Sequence, residues 1–251
     1  TLNTDLEEYD FTLPKTRTQA LQFSVSDLVV FGTPVYAGRV PNVLLPYLNT
    51  IQGNGALAVP VVLFGNRDYD DALIELRDTL ENNGLHTIAA GAFVGEHSFS
   101  RILAKDRPDM KDMDIVDEFV RKICEKYKTD TLSHPIPVSG TPYPYRGYYT
   151  PRDRQGTPVD IRKVKPLTND RCNDCKRCAK VCPMGSISYE NVREFTGICI
   201  KCGACIKKCP KQAKYYEDAG YLYHQHELEE GLTRRAAKTH FFFNLYKIYL
   251  N

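Results

Sequence analysis

Eight of the nine cysteines lie between Cys172 and Cys209, in two runs that share one spacing. The first run reads C-N-D-C-K-R-C-A-K-V-C-P and the second reads C-I-K-C-G-A-C-I-K-K-C-P. Three thiolates two residues apart can point inward from one looping backbone. The next turn carries the fourth cysteine away, and Pro183 or Pro210 then directs the chain out of the loop. No other feature of the sequence constrains the fold as strongly.

The spacing C-x2-C-x2-C-x3-C-P is typical of loops that hold [4Fe–4S] clusters. Where two such runs share a domain, the fourth cysteine of each ligates the other cluster. The sequence therefore predicts two [4Fe–4S] clusters with crossed ligands. The first is assigned to Cys172, Cys175, Cys178 and Cys209, and the second to Cys199, Cys202, Cys205 and Cys182.

Zinc sites and disulfides are the alternatives for these cysteines. Zinc sites usually pair two C-x2-C elements across a longer gap and stop at four ligands per ion. A third cysteine two residues further on, found twice, is poor geometry for zinc. A disulfide framework suits a small secreted domain rather than a chain of 251 residues. The spacing favours iron–sulfur clusters over both.

The two cysteine runs form an internal repeat, because Cys172 aligns with Cys199 at an offset of 27 residues. The similarity extends to Tyr189 and Tyr216, so each half is expected to form a cluster loop, a short helix and a short strand. We expect each tyrosine to pack over a cluster, with ordinary packing in a small core as the alternative. Lys214 replaces an apolar residue of the first half, which weakens the prediction of the second strand.

Composition is that of a globular protein, with 42% hydrophobic and 25% charged residues. No apolar run reaches the roughly 18 residues of a membrane span. The first residues, T-L-N-T-D-L, do not form a signal peptide. With eight cysteines assigned to metal, we expect a reducing, cytoplasmic location. Cys124 is expected to be a packing residue in a helix.

The net charge is only +2, but basic residues are concentrated between Pro151 and Tyr216, with fifteen Lys and Arg against six Asp and Glu. A basic stretch of this kind can bind nucleic acid. Compensation of the negative charge of two all-cysteine clusters explains it better. We therefore expect redox partner proteins and no nucleic acid.

Three apolar runs, 27–32, 57–65 and 87–95, predict strands buried on both faces. Residues 40–51, 70–83 and 114–127 predict amphipathic helices. Residues 9–13 alternate like a further short strand. Buried strands that alternate with amphipathic helices indicate an α/β fold with a parallel sheet.

The predicted organisation has four parts. An α/β domain spans 1–130, and a Pro- and Tyr-rich linker at 131–166 is expected to dock on it. The cluster domain follows at 167–217. A helical tail occupies 218–251, with a helix at about 222–238 and an apolar end expected to pack on the body or on a partner.

Ligands of open parallel sheets bind beyond the carboxyl ends of the strands. Two loops stand there, G-T-P-V-Y-A-G-R-V-P from Gly32 and G-N-R-D-Y-D-D from Gly65. Tyr36 or Tyr69 could stack on a flat aromatic cofactor. A third loop, G-E-H-S, begins at Gly95 and contains His97 and Ser98. Ordinary βα turns, in which glycine and asparagine are common, are the alternative explanation.

These three loops, followed by the doubled cysteine motif, closely resemble the flavodoxin–ferredoxin fusion family as far as about residue 217. The resemblance implies a flavodoxin-like parallel sheet that binds FMN, followed by a small α+β ferredoxin domain with two [4Fe–4S] clusters. It also implies that the isoalloxazine ring is bordered by Thr33, Pro34, Val35, Tyr36, Ala37, Gly65, Asn66, Arg67 and Tyr69.

The sequence departs from that family at its beginning. A flavodoxin opens with a strand and a Ser/Thr-x-Thr-Gly-x-Thr loop that binds the FMN phosphate, and this sequence has neither. That strand lies centrally in the order 2-1-3-4-5. We therefore expect the natural protein to be longer, or another chain to supply the strand. FMN is expected to be weakly held or absent when only the ring-binding loops are present.

The favoured function is that of a cytoplasmic iron–sulfur flavoprotein that passes electrons between FMN and two [4Fe–4S] clusters. One alternative is a ferredoxin-type electron carrier without flavin. Another is a non-redox interaction module in which the clusters are structural. The sequence contains no Ser-His-Asp, Walker or HExxH arrangement, so a hydrolase is unsupported.

Overall fold

The computed structural model describes residues 5–128, 134–235 and 240–243. It is a mixed α/β fold with a sheet that is mainly parallel, followed by a smaller cysteine-rich unit. In chain order the strands and helices are β1 (Leu28–Pro34), α1 (Leu45–Leu48), β2 (Leu57–Phe64), α2 (Ala72–Asn82), β3 (His86–Thr87), β4 (Ala89–Val94), α3 (Met110–Tyr127), β5 (Leu167–Thr168), α4 (Arg177–Lys180), α5 (Ala204–Lys207), β6 (Lys214–Tyr215), α6 (Ala219–Gly231) and β7 (His240–Phe243).

The main sheet has the strand order β1-β2-β4-β7, with β3 also paired to β2. β1, β2, β3 and β4 pair in parallel, whereas β7 pairs with β4 in the antiparallel direction. Val59 and Val62 in the central strand β2 are fully buried. Strands are present at the predicted 27–32, 57–65 and 87–95. Burial on both faces is wrong for the first of them, because β1 is at the edge of the described sheet and Val30 is 65% exposed.

The prediction of a strand at 9–13 is wrong. The Asp10 carboxylate accepts a hydrogen bond of 2.8 Å from the backbone N–H of Thr12, and a 3₁₀ turn begins at Pro14. This local turn satisfies a backbone group that a strand would have offered to the sheet. The alternating pattern instead places Phe11 on the core, where its ring stacks on Phe31 at 5.2 Å.

The predicted helices differ from the observed ones mainly at their ends. The helix expected at 40–51 is reduced to α1, because Pro41 and Pro46 lack the N–H groups that a longer helix needs. Helix α3 begins four residues before the predicted position 114, because Asp109 and Asp112 form a capping box. Among the helices that the structure describes, none is both long and apolar enough to cross a membrane.

The described part of the Pro- and Tyr-rich segment, 134–166, is docked on the sheet domain. The buried Asp71 carboxylate accepts hydrogen bonds of 2.9 Å from the backbone N–H groups of Thr141 and Arg146. It also pairs with the Arg146 guanidinium at 2.6 Å. The Tyr148 hydroxyl donates to the carbonyl of Val40 at 2.8 Å. These contacts bring the segment across the carboxyl ends of the strands.

The tail contributes a helix and an edge strand. Helix α6 starts at Ala219, three residues before the expected start, because Asp218 caps it by accepting from the N–H of Tyr221 at 2.8 Å. It ends at Gly231 rather than at 238. Phe241 and Phe243 of β7 each lie 5.6 Å from the Phe119 ring of α3. The apolar segment thus packs on the body at 240–243, whereas 236–239 and 244–251 lie outside the described residues.

Candidate metal centres and the adjoining cleft

The sequence repeat is also a repeat of backbone conformation. Asp174 and Lys176 in the first half have φ angles of 55° and 61°, and Lys201 and Gly203 in the second half have 58° and 69°. Each pair stands between the cysteines of its run. Left-handed residues at these positions curl the loop around a point. The short helices α4 and α5 then follow at the same offset.

The eight cysteines line two separate cavities, four cysteines to each. One cavity is lined by Cys182, Cys199, Cys202 and Cys205, and the other by Cys172, Cys175, Cys178 and Cys209. Both cavities are small, with volumes of about 20 and 10 Å³. The fourth cysteine of each run therefore lies with the three cysteines of the other run. This is the grouping that crossed ligation requires.

Backbone N–H groups point at the fourth sulfur of each run. Ser186 donates to Cys182 Sγ at 3.4 Å, and Ala213 donates to Cys209 Sγ at 3.3 Å, which are equivalent bonds of the repeat. Burial opposes ionisation of Cys209, but the N–H groups of Ala213 and its neighbours outweigh it, so the pKa of this thiol is lowered. These hydrogen bonds favour a thiolate at the fourth position.

For the more enclosed cysteines the pKa shifts in the opposite direction. Burial raises the pKa of Cys202, and it raises the pKa of Cys205 to about 12. Burial likewise raises the pKa of Cys178, although the Lys214 ammonium partly offsets the effect. As bare thiols, Cys178, Cys202 and Cys205 would stay protonated at neutral pH, whereas coordination to a metal deprotonates a thiol outright. The donor set therefore fits metal-bound sulfur, and none of the nine cysteines, all of them described, forms a disulfide.

Lys214 is the residue that weakened the prediction of the second strand, yet it lies in β6, paired with β5. Its side chain is buried, and Nζ donates to the carbonyl of Val192 at 2.5 Å and lies 5.2 Å from the centre of the Phe195 ring. Lys214 also lines the cavity of Cys172. The substitution of an apolar residue by lysine thus places a buried cation beside one set of four sulfurs.

The two tyrosines of the repeat have different environments. Tyr216 is 9% exposed, its hydroxyl lies 3.9 Å from Cys199 Sγ, and its ring packs at 3.8 Å on Tyr221 of α6. Tyr189 is 50% exposed and lines neither cavity, so the prediction that it packs over a cluster is wrong. The tight turn after it, in which Glu194 N–H donates to Asn191, carries the chain back before any element can cover the ring.

A cleft of about 740 Å³ separates the carboxyl ends of β1 and β2 from the cysteine loop that begins at Cys199. Among the predicted flavin contacts, Val35, Tyr36, Ala37 and Arg67 line this cleft. His97 and Ser98 of the G-E-H-S loop also line it. Cys199 borders both the cleft and the cavity that contains Cys202 and Cys205. The cleft therefore shares a wall with the cavity lined by Cys182, Cys199, Cys202 and Cys205, called the second cysteine cavity below.

The other predicted flavin contacts do not reach the cleft; they are Thr33, Pro34, Gly65, Asn66 and Tyr69. The predicted stacking by Tyr69 is wrong, because its ring is buried in the core 5.6 Å from that of Phe64. The buried Asn66 amide instead donates to the carbonyls of Leu232 and Arg234, at 3.0 and 2.9 Å. Gly65 is packed against His97, where a Cβ atom would come within 2.4 Å of Cδ2.

Sequence reasoning missed four aromatic groups of the cleft, namely Phe99, Tyr148, Tyr149 and His224. The Tyr149 ring is stacked on His224 at 5.8 Å, and the Arg67 guanidinium lies 4.8 Å from the centre of the Tyr149 ring. A signal for His224 does exist in the sequence. Tyr221, His224 and Leu228 recur at helical spacing, and all three are buried.

The cleft combines neutral imidazoles with cationic side chains. Burial lowers the pKa of His97 to about 4, and Phe99 N–H donates to its Nδ1 at 3.1 Å, so the ring is neutral at neutral pH. Burial also lowers the pKa of His224. Arg67, Arg162 and Lys201 also line the cleft, where Arg67 pairs with Asp70, and Arg162 pairs with Asp160 of the same lining. Such a lining, with its aromatic rings, suits a flat aromatic ligand that carries polar groups.

The G-E-H-S loop joins the sheet domain to the second cysteine loop. Lys207 of α5 donates to the carbonyl of His97 at 2.6 Å and forms an ion pair with Glu96. Arg101 donates to the carbonyl of Ile206 at 3.0 Å. These contacts fix the Cys199–Cys205 loop against the carboxyl ends of the strands.

Comparison with known proteins identifies the cysteine-rich unit only. Residues 171–214 match the family model described as 4Fe-4S dicluster domain. No curated protein and no solved structure matches the chain. The match indicates a 4Fe–4S cluster-binding domain of the electron-transfer type at 171–214, and it covers a minority of the chain.

Proposed function

We propose that this protein is an iron–sulfur flavoprotein that passes electrons between FMN and two [4Fe–4S] clusters. The observation that carries the proposal is the wall shared by the cleft and the second cysteine cavity. Cys199 borders both, and Tyr36 faces it from the sheet side. A flavin ring in the cleft would be next to a cluster with no element between them.

The cluster ligands of the proposal are the two groups of four cysteines already described. Cys182 would complete the cluster of Cys199, Cys202 and Cys205, and Cys209 would complete the other. N–H donation to Cys182 and Cys209 and the buried ammonium of Lys214 support this assignment, because an all-cysteine cluster carries negative charge. Tyr216 and Tyr221 would keep water from Cys199, since burial of both rings closes that side.

The FMN site of the proposal lies between Tyr36 and Tyr149. Its volume is within the usual range for small-molecule sites, about 300–1,000 Å³. When bound, FMN exchanges two electrons in one-electron steps, which couples two-electron carriers to one-electron carriers. Arg67 would offer positive charge to the ring, and His97, neutral at neutral pH, would form an uncharged wall. Because the contacts are to the ring, we propose weak binding of FMN by this chain.

The proposed partners are redox proteins, and the proposed compartment is the cytoplasm, where thiols stay reduced. We propose no nucleic-acid partner, and two buried lysines of the basic stretch support a role of its charge inside the protein. Lys201 and Lys214 are both buried, and they donate to the carbonyls of Cys199 and Val192 at 2.8 and 2.5 Å. Cys175 is the exposed cysteine of the first group, which favours that side for contact with a partner.

Anaerobic loading with iron and sulfide, followed by titration with FMN and with riboflavin, tests the proposal. We expect about eight iron atoms per chain, and quenching of flavin fluorescence on binding. FMN and riboflavin should bind with similar affinity if ring contacts dominate. Tyr36→Ala should lose the binding while retaining its iron. An iron-loaded protein that binds neither flavin would refute the flavin part and leave a ferredoxin-type carrier.

A further inference from the structure

A second group of metal-ligand side chains lies far from the cysteines, at the amino end of β3. Glu81 is on the last turn of α2, His86 opens β3, and His134 begins the segment that docks on the sheet. One ligand atom from each of the three lies within 4.8 Å of the other two. The cleft lies at the other end of these parallel strands, beyond their carboxyl ends.

The carboxylate of this group is held in place by its neighbours. Glu81 Oε1 accepts a hydrogen bond of 2.7 Å from the Thr87 N–H and a second bond from the Thr87 hydroxyl. Glu81 Oε2 is thereby turned toward the histidines, and it lies 3.4 Å from His134 Nδ1. Hydrogen bonds that orient a ligating carboxylate in this way are a usual feature of metal sites.

The two histidine rings are stacked on each other, and one buried ring nitrogen has no partner. Their ring centres are 3.7 Å apart at an interplanar angle of 23°. The Nδ1 atom of His86 is buried and has no hydrogen-bond partner among the described residues. An unpaired buried nitrogen costs free energy. The lone pair of an imidazole nitrogen lies in the ring plane, so the partly exposed His134 ring must tilt out of the stack for both rings to face one ion.

We propose that Glu81, His86 and His134 bind one divalent transition-metal cation, of which Zn²⁺ is the representative. A zinc ion lies about 2.0–2.1 Å from nitrogen and oxygen ligands, which places neighbouring ligands of a tetrahedral site about 3.3–3.5 Å apart. The separation of 3.4 Å between Glu81 Oε2 and His134 Nδ1 has this length. His86 supplies the third ligand through the nitrogen that has no other partner.

The ion would fasten the start of the docked segment to the sheet. The neighbouring Ile136 is fully buried, and its N–H lies 3.4 Å from the same Thr87 hydroxyl that holds Glu81. The His134 side chain is 36% exposed and that of Glu81 is 17% exposed, so solvent reaches the site and a fourth position is open to water. Two imidazoles and one carboxylate are nitrogen and oxygen ligands suited to zinc, and they are poor ligands for Ca²⁺ or Mg²⁺.

Metal content and zinc affinity of the cluster-loaded full chain test the proposal. The protein is loaded with iron and sulfide, so that its cysteines are occupied, and then titrated with Zn²⁺ against a colorimetric zinc chelator. We expect one Zn²⁺ per chain with iron unchanged. His134→Gln and His86→Gln should each weaken zinc binding at least about 10-fold to 100-fold. His226→Gln, which removes an exposed histidine of α6, should leave zinc binding unchanged.

Each outcome of this experiment decides the proposal. Zinc binding that is equal in the parent, in His134→Gln and in His226→Gln would overturn it. So would zinc uptake that occurs only with loss of iron, which would place the ion on the cysteines. His134→Gln guards against a folding defect, because its side chain lies at the surface, and iron content reports on the fold independently. A proposed flavin function that fails leaves this result unaffected.

Discussion

Replacement of Gly203 by alanine tests the contact between the second cysteine loop and the sheet domain. Gly203 has φ 69°, and a Cβ atom built on it would lie 2.3 Å from the carbonyl oxygen of Ser98. A left-handed alanine costs about 1–2 kcal/mol, and crowding of a packed site adds about 1–3 kcal/mol. We therefore expect Gly203→Ala to destabilise this contact by about 2–4 kcal/mol, the lower part of the summed range, because Ser98 is in a loop that can shift.

Lys176 provides the matched control, because the repeat places it at the equivalent position with φ 61°. Its ammonium pairs with Asp174 at 2.7 Å and donates to the carbonyl of Glu190 at 2.9 Å. The left-handed backbone is therefore compatible with a side chain where no sheet domain faces it. Lys176→Gly should change stability by less than about 1 kcal/mol, because relief of the left-handed backbone and loss of the Lys176 side-chain contacts oppose each other.

The assay is thermal bleaching of the cluster-loaded protein under anaerobic conditions, with native proteolysis as a second readout. Each 1 kcal/mol corresponds to about 2–4 °C for a chain of this size. Gly203→Ala should lower the midpoint and expose the loop around Ser98 to protease, whereas Lys176→Gly should not. Equal midpoints for the parent and Gly203→Ala would refute the close approach to Ser98 on which the shared wall depends.

Three further predictions follow from the same structure. Cys182→Ser should damage the same cluster as Cys205→Ser, so the electron paramagnetic resonance spectra of the reduced variants should coincide; coincidence with Cys178→Ser instead would contradict crossed ligation. The lowered pKa of His97, about 4 against 6.5, means that the unfolded chain binds more protons between these pH values. Stability should therefore fall from pH 6.5 toward 4 by up to about 3 kcal/mol, and denaturant titrations should show a weaker fall in His97→Gln than in His226→Gln. Asp71→Ala should release the segment around Arg146 to protease and cost about 2–3 kcal/mol by the loss of several buried hydrogen bonds. Asp160→Ala, which breaks an exposed ion pair with Arg162, should leave stability nearly unchanged. Equal protease resistance of Asp71→Ala and the parent would count against docking.

The cysteine-rich unit could be predicted in detail because its spacing rule is local. Thiols two residues apart require a curled loop, and the offset of 27 residues repeats in the cysteines, the left-handed residues and the short helices. The spacing rule does not predict which side chains are buried by segments distant in sequence. Tyr216 is buried because α6 returns to cover it, whereas Tyr189 has an identical place in the repeat and no cover.

The sheet could be predicted for its buried strands and less well for its edges and its ligand side. The apolar runs at β1, β2 and β4 form strands as predicted. The alternating pattern at 9–13 instead belongs to a turn that packs Phe11 on the core. Tyr36 and Tyr69 follow two strands in similar loops, yet Tyr36 lines the cleft and Tyr69 fills the core. Both loops begin with glycine and carry one tyrosine, so their residue types do not distinguish the two outcomes.

The rest of the cleft depended on segments remote in sequence. Tyr149 and His224 reach it from the docked segment and from α6, and they meet Arg67 of the sheet domain there. A parallel sheet indicates where a ligand binds. It does not indicate which later segments close over that place, because their positions follow from contacts such as those of Asp71 with Arg146.

The most direct test of the central claim is stopped-flow mixing of reduced FMN with the oxidised, cluster-loaded protein under anaerobic conditions. If the flavin binds in the cleft beside Cys199, the rate of cluster bleaching should saturate as the FMN concentration rises. Tyr36→Ala should abolish the saturation while keeping both clusters. A rate that rises linearly with FMN over the whole range, and is the same in Tyr36→Ala, would show collision with free flavin and contradict the account.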